Sequence, residues 1–144
     1  MAGKSDTFEN DLLKLIFNGT AITGVADNAS SSPLTSLYVS LHTADPTDAG
    51  DQTSNELSYT GYTRVAVARS GSGWTITGNV VTPTANVEFG AMTGGTGGTV
   101  THWAIGTAST GTGKILYSGT VSPNIAMSTG VTPRLTTEST VTED

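Results

Sequence analysis

The sequence predicts an all-β fold, a single-domain antiparallel β-sandwich or jelly roll that carries one N-terminal α-helix. Three observations support this fold class. The 144 residues include 27 Thr and 18 Gly, and Thr favours strands whereas Gly favours turns. Short strand-like runs recur about every 8–12 residues between Gly, Pro and Asn. Helical periodicity extends over a long segment at the N-terminus alone.

The length of the chain predicts one domain over residues 1–144, with the helix at residues 5–18 and the β-sandwich at residues 36–142. A chain of this size buries roughly 70% of the surface that its unfolded form exposes, which is enough for a real core. It contains no cysteine, so disulfides and thiolate metal sites are excluded.

Residues 5–18 have the pattern of an amphipathic helix. Ser5, Asp6 or Thr7 can cap its N-terminus, and Gly19 suits the position that follows its last turn. Two interpretations of the broad apolar arc remain open: the whole arc packs over a sheet of its own domain, or Leu13 and Phe17 contact another subunit. The arc comprises Phe8, Leu12, Leu13, Leu15, Ile16 and Phe17.

The next clear pattern is two strands around a long polar loop. Residues 37–42 alternate between apolar and polar side chains, and residues 62–69 alternate again, which predicts half-buried strands. The loop at residues 43–61 is long for a compact domain, and long ordered loops tend to carry function.

The rest of the chain reads as short strands and turns. Gly78 and Asn79 predict a tight hairpin turn between strands at residues 74–77 and 80–82. A Gly/Thr-rich loop follows at residues 90–99. Further strands are predicted at residues 86–89, 100–107, 114–121, 124–127, 133–137 and 139–142.

The sequence lacks the residue constellations of the common catalytic and metal sites. Its two histidines, His42 and His102, have no cysteine and no HExxH spacing beside them, so each is interpreted as a hydrogen-bonded strand residue. No GxSxG nucleophile motif is present, and the glycine run at residues 94–98 lacks the GK[ST] ending of a phosphate loop. We therefore predict no enzyme, no cofactor and no metal site.

Four acidic residues lie in the loop between the first two predicted strands: Asp45, Asp48, Asp51 and Glu56. Three interpretations are open, which are a solvated acidic loop, a calcium site and a contact with a basic patch on a partner. The spacing does not follow the DxDxDG pattern of an EF-hand. We predict that these acids, together with Leu13 and Phe17, form an interface.

Charge and hydropathy limit the classes of partner that the protein is expected to bind. Charged residues make up 12% of the chain and the net charge is −6, so little affinity for nucleic acid is expected. No apolar run reaches the ~18 residues of a membrane span, and the polar N-terminus lacks the apolar core of a signal peptide. We expect a soluble protein without a membrane partner.

Three strings carry a family resemblance: YVSLHTADPTDAG at residues 38–50, SNELSYTGYTRVAVARS at 54–70 and WAIGTASTGTGKILYSGTV at 103–121. They resemble a widespread family of small tailed-bacteriophage structural proteins that are often labelled tail-fibre-like. The shared pattern runs through LHTADP at residues 41–46 and then through Glu56, Tyr59, Gly61, Tyr62, Arg64, Ala66 and Val67.

The resemblance implies a virion protein. Related proteins of this size act as capsid decoration or cement proteins, some of them with jelly-roll-like domains that form trimers. The predicted function is therefore a decoration protein that binds and stabilises the lattice of the major capsid protein, as a trimer, in a virion assembled in the host cytoplasm. The alternative is a tail or tail-fibre component with a role in binding a receptor or a glycan.

Overall fold

A computed structural model of the protein describes residues 5–22, 26 and 33–143. It confirms the predicted fold class, because these residues are mostly β and contain one helix, which is N-terminal. The elements are α1 (Asp6–Asn18), β1 (Ser36–His42), β2 (Val65–Ala68), β3 (Trp74–Thr77), β4 (Val80–Pro83), β5 (Val87–Glu88), β6 (Thr99–Gly106), β7 (Ile115–Ala126), β8 (Arg134–Leu135) and β9 (Val141–Thr142). The sheets have the strand orders β2-β1-β6-β7, β3-β4-β9 and β5-β8, and the paired strands run antiparallel.

The chain divides into two compact units, each assembled from segments that are distant in sequence. The first unit comprises Met1–Ser36, Val67–Asn86 and Leu135–Asp144. The second unit comprises Leu37–Ala66 and Val87–Arg134. The single domain predicted over residues 1–144 stays a prediction.

Helix α1 begins and ends as its sequence predicts. The Ser5 side chain accepts a hydrogen bond from the Phe8 backbone amide at 3.4 Å, which satisfies one of the free amides of the first turn. Gly19 ends the helix with a φ of 66°, a left-handed conformation that glycine adopts without steric penalty.

One face of α1 supplies the core of the first unit. Leu13 and Phe17 are fully buried, and the Phe17 ring meets Trp74 of β3 edge-on with 4.8 Å between the ring centroids. Edge-to-face pairs of this kind stabilise a core beyond their area burial. The buried face of the helix therefore packs within its own unit, whereas Phe8, one turn from the N-terminus, is 39% exposed.

Strands β3 and β4 form the predicted hairpin. Thr77 faces Val80 across the turn, and Trp74 faces Pro83 at the other end. Gly78 has a φ of 63° in this turn, which explains the need for glycine there. Strand β9 adds to the hairpin, with Val141 opposite Val81.

The second unit is built on β1, β6 and β7. Leu37, Val39 and Leu41 of β1 are all buried, and Val39 lies opposite Ile105 of β6 in the antiparallel register. The apolar face predicted for residues 37–42 is therefore confirmed. The strand is not half-buried as predicted, because Ser40 and His42 on its other face are buried as well. Strand β7 joins the segments predicted at 114–121 and 124–127 into one strand, and a register shift lies between them.

Candidate functional site

The long loop between β1 and β2 folds around a buried ion pair. The Arg64 side chain is 3% exposed, and its Nε lies 2.7 Å from Oε1 of Glu56. Its Nη2 donates to the other carboxylate oxygen of Glu56 at 2.8 Å. This two-pronged geometry is the strongest form of the Arg–carboxylate interaction, and the Glu56 hydrogen bonds raise the pKa of Arg64.

The same guanidinium also ties the loop to a turn far along the chain. Nη1 of Arg64 donates to the carbonyl oxygen of Ala108 at 2.9 Å, and Nη2 donates to that of Gly111 at 2.8 Å. All three guanidinium nitrogens are thus engaged, which is what a buried cation requires. One side chain therefore joins two loop segments of the second unit.

Tyr62 completes the environment of the carboxylate. Its hydroxyl donates to Oε1 of Glu56 at 3.0 Å and accepts from the Leu41 backbone amide at 3.1 Å. Burial raises the pKa of the Tyr62 hydroxyl well above its ordinary value, so the group remains a neutral donor. The ring stacks on Phe89, with 6.1 Å between the ring centroids.

The Gln52 side chain makes a second set of contacts between the loop and other segments of the chain. It donates to the carbonyl oxygen of Tyr38 at 3.2 Å and accepts from the Ala108 amide at 3.0 Å. Gly106 and Gly113 leave the room for this contact, because a Cβ atom on either residue would lie 2.2 Å and 2.0 Å, respectively, from Gln52 side-chain atoms. A larger residue at either position would therefore displace the Gln52 amide group from this contact.

His42 lies buried at the end of β1. Its Nδ1 is 2.8 Å from the carbonyl oxygen of Ser54, and its Nε2 is 2.9 Å from Oγ of Ser40. Because a carbonyl can only accept, Nδ1 carries the proton and Nε2 accepts from the serine. Burial lowers the pKa of His42, which favours this neutral form.

The Ser40–His42 pair has the donor and acceptor order of a nucleophile and its base, but the pair is not accessible from the surface. Both side chains have 0% exposure, and the group that orients the imidazole is a backbone carbonyl rather than a carboxylate. A hydrolytic triad needs an open nucleophile beside a charged orienting group. The arrangement instead joins β1 to the loop.

The structure separates the four predicted acids into two kinds. Glu56 points inward to Arg64. Asp45 and Asp48 are exposed and Asp51 is half-buried, and Oδ1 of Asp51 accepts from the amide and hydroxyl of Thr53 at 2.7 Å and 2.6 Å. These hydrogen bonds lower the pKa of Asp51.

The exposed part of the loop also contains an uncommon backbone conformation. Thr47 has a φ of 64°, which is rare for a β-branched residue. Oδ1 of Asp45 accepts from the Thr47 amide at 2.8 Å, which helps to hold the turn. The exposed carboxylate of Asp48 lies next to it in sequence.

The predicted interface residues Leu13 and Phe17 lie apart from this loop in sequence and belong to the first unit. Both have 0% exposure and pack within the unit, whereas Phe8 of the same apolar arc is 39% exposed. A contact of Leu13 and Phe17 with another subunit stays a prediction. Among the described residues, no group of three or more His, Cys, Asp or Glu side chains is placed to hold a metal ion.

Sequence reasoning missed Arg64 as the partner of Glu56 and missed Gln52 altogether. A signal for the first was present: Glu56, Tyr62 and Arg64 all belong to the string that carries the family resemblance. For Gln52 the partners lie at Tyr38, Ala108 and Gly113, and no local pattern marks a polar side chain that reaches so far along the chain.

In these contacts the side chains of the loop bond to one another and to backbone groups of the second unit. In residues 5–22, 26 and 33–143, no helix combines the length and apolar character that a membrane crossing requires. No curated protein matches the sequence. The family model described as podophage GP4 fiber I protein gp80 matches residues 3–143, and the chain belongs to this family of phage virion structural proteins.

Proposed function

We propose that this protein is a non-enzymatic structural subunit of the podophage virion that forms part of the tail fibre. The observation that carries the structural role concerns Glu56, Tyr62 and Arg64, three polar residues of the string at residues 54–70. Their side chains bond to one another and to backbone groups of the second unit. The family is described as a fiber protein, which supports the position in the tail.

The exposed acids of the loop are the proposed contact with the rest of the particle. Asp45 and Asp48 carry their charge on the surface beside Thr47, whose φ is 64°. Residues held in sparsely populated conformations concentrate at binding sites. A basic patch on a neighbouring virion protein is the partner that this surface fits by charge.

A capsid decoration role is the second candidate. It is favoured by the resemblance of residues 41–46 and 59–67 to a family of small tailed-phage structural proteins, since related proteins of this size act as capsid decoration proteins and some of them form trimers. The Thr- and Ser-rich surface suits it, since uncharged hydroxyl groups provide many modest hydrogen bonds over a broad contact. A repeated lattice multiplies such weak contacts.

The position of the protein in the particle separates the two candidates. We expect density for this chain on the tail in cryo-electron microscopy of intact virions. Particles that lack the protein should keep the heat stability of their heads and lose adsorption to the host. Density between capsomers, together with heads that burst at lower temperature, would overturn the tail-fibre proposal in favour of decoration.

The acidic contact has its own test. Replacing Asp45 and Asp48 by Asn should reduce incorporation of the protein into particles while leaving its thermal unfolding unchanged, because neither side chain is buried. Glu138→Gln is the matched control, since Glu138 is exposed and lies in the first unit. Equal incorporation of both variants would remove the acids from the interface.

A further inference from the structure

Helix α1 carries a second apolar stripe beside the one that its own unit buries. The buried residues of the helix stand at positions 9, 13 and 17, and the residue before each of them lies about 100° away around the helix axis. Those preceding residues are Phe8, Leu12 and Ile16, and Leu15 lies on the same side of the helix. Phe8 is exposed, and the other three are half-buried. The intervals from Phe8 to Leu12 and on to Leu15 are four and three positions, the spacing of a seam between two packed helices.

Leu34 extends this stripe at the C-terminal end of the helix. The Arg69 guanidinium donates to the carbonyl oxygens of Leu15, Ile16 and Leu34, so these backbone groups lie around one side chain. Among the described residues, Phe8 and Leu34 are the exposed large apolar side chains, at 39% and 45%. They stand at the two ends of one apolar patch of the first unit, which comprises Phe8, Leu12, Leu15, Ile16 and Leu34. Exposed apolar patches commonly mark interaction sites.

The charges beside the apolar patch suit a second copy of the same helix. The patch itself contains no charged residue, and Asp11 and Lys14 lie along the side of it that is turned away from the buried stripe. Among the described residues, neither of these side chains has an ion-pair partner. Because the two opposite charges stand three positions apart, an antiparallel copy of α1 can bring each of them level with its opposite. The patch therefore fits a second copy of itself by charge as well as by its apolar character.

We propose that the apolar patch binds the same patch of a second copy of this chain, with the two α1 helices antiparallel about a twofold axis. An axis between positions 12 and 13 places Asp11 level with Lys14 of the second copy, and Lys14 level with its Asp11. The same axis brings Phe8 level with the last turn of the second helix, beside Leu34 of that copy. Every contact is thus made twice, as in any isologous interface.

An antiparallel pair is favoured over a parallel one on two grounds. The positive end of each helix dipole then lies beside the negative end of the other. In a parallel pair the twofold axis runs along the helices, so the side that carries Asp11 would meet the side that carries Glu9. No basic residue of α1 lies on that second side. A twofold pair therefore gains from its side-chain charges only when the helices run in opposite directions.

The extent of the contact predicts how it behaves in solution. Helix α1 has 13 residues, which is about 20 Å at roughly 1.5 Å per residue. One such helix pair buries less surface than the roughly 1,200 Å² of stable protein interfaces, so the isolated protein should dimerise weakly and in a concentration-dependent way. On a particle that holds several copies close together, the same contact gains from effective concentration. The inference does not depend on whether the particle position is the fibre or the capsid.

Sedimentation velocity of the full-length protein over a concentration series tests the contact. The wild-type protein should pass from monomer to dimer as the concentration rises. Phe8→Lys and Leu34→Lys should each raise the dissociation constant of the dimer by roughly tenfold or more, because each places a charge in the apolar contact twice. Thr137→Lys, exposed in the first unit and outside the patch, is the matched control and should dimerise as the wild type does. Far-UV circular dichroism checks the fold of all three variants, each of which changes an exposed side chain.

Reversal of the two charges tests the direction of the helices. Asp11→Lys and Lys14→Asp should each weaken the dimer by roughly fivefold, because each places like charges level with each other on both sides of the axis. The double variant, Asp11→Lys with Lys14→Asp, should regain the wild-type dissociation constant, because it restores an opposite charge at both contacts.

A wild-type protein that remains monomeric up to millimolar concentration, or that forms only trimers, would overturn the proposal. Phe8→Lys and Leu34→Lys proteins that dimerise as tightly as Thr137→Lys would also overturn it, and so would association of the patch with another virion protein alone. A double charge variant that dimerises no better than the single reversals would contradict the antiparallel arrangement.

Discussion

Arg64 and Arg69 lie five positions apart in one stretch of sequence, yet they stabilise different units by different means. Arg64 is buried and pairs with the carboxylate of Glu56 in the second unit. Arg69 serves the first unit, where its Nε donates to the carbonyl oxygen of Ile16 at 2.6 Å and Nη2 donates to that of Leu15. Those carbonyls belong to the last turn of α1, whose own sequence supplies no basic residue there.

The two units differ in the contacts that their buried groups make in place of the water lost on folding. In the first unit an apolar helix face is buried, and the charged group only caps carbonyls that water can also solvate. In the second unit the loop core is polar, so each buried group depends on a particular partner. The first unit should therefore respond most to the loss of apolar volume, and the second to the loss of a charge.

The largest effect is expected in the apolar core of the first unit. Phe17→Ala removes a fully buried ring that contacts Trp74, which should lower the free energy of unfolding by about 3–5 kcal/mol. Phe8→Ala on the same helix is the control, and its exposed ring should contribute little. Urea unfolding followed by tryptophan fluorescence measures both. Similar losses for the two variants would contradict the packing described for α1.

Removing the buried cation should have the next largest effect. Arg64→Met leaves the Glu56 carboxylate without its partner, and the loss of one member of a buried ion pair costs about 3 kcal/mol or more. The exposed pair Arg134–Glu88, with 3.5 Å between nitrogen and oxygen, supplies the control, since surface pairs contribute about 0–1 kcal/mol.

A double variant sharpens this second prediction. Glu56→Gln combined with Arg64→Met should recover part of the stability lost in Arg64→Met, because it removes the uncompensated charge. The measurement is the same denaturation curve for the three proteins. If the double variant is less stable than Arg64→Met alone, the cost does not arise from the carboxylate.

Loss of the helix cap should have a smaller and more local effect. Arg69→Met removes hydrogen bonds to three carbonyl oxygens, those of Leu15, Ile16 and Leu34, and we expect a loss of about 1–2 kcal/mol because water can replace part of them. Hydrogen exchange should accelerate in the last turn of α1 and remain unchanged in β1. Equal acceleration in both elements would show that Arg69 supports the whole fold.

The elements that were predictable from sequence depend on local patterns. The helix at 5–18, its Ser5 and Gly19 ends and the hairpin at Gly78 all follow from neighbouring residues, and the structure confirms them. The family itself was also predicted from short strings, and the match over residues 3–143 confirms it.

The contacts that the sequence did not reveal join residues that are far apart along the chain. Arg64 reaches Ala108, 44 positions along the chain, and Gln52 reaches the same residue from 56 positions away. No periodicity encodes such contacts. The acidic loop was likewise treated as one group of four carboxylates, although the inward position of Glu56 follows from Arg64, which stands outside that group.

The smallest effect concerns the pH dependence of the second unit. Burial holds the pKa of His42 below its ordinary value of 6.5 in the folded protein. Between those two pKa values the unfolded chain binds the proton and the folded chain does not, so acid favours unfolding. The stabilisation due to neutral His42 is therefore complete above pH about 6.5 and declines as the pH falls below it, by at most about 1.4 kcal/mol per pH unit.

Denaturation at pH 7.5 and pH 5.5 should show this decline, in a range where carboxylates of ordinary pKa remain ionised. Glu56 and Arg64 are further neighbours of His42, and His102 faces it from β6. His42→Asn should be less stable at pH 7.5. It should lose the pH dependence because an amide does not titrate, although it can still donate to the carbonyl oxygen of Ser54. His102→Asn should keep it. A pH dependence that instead disappears in His102→Asn would assign the titration to the half-buried histidine.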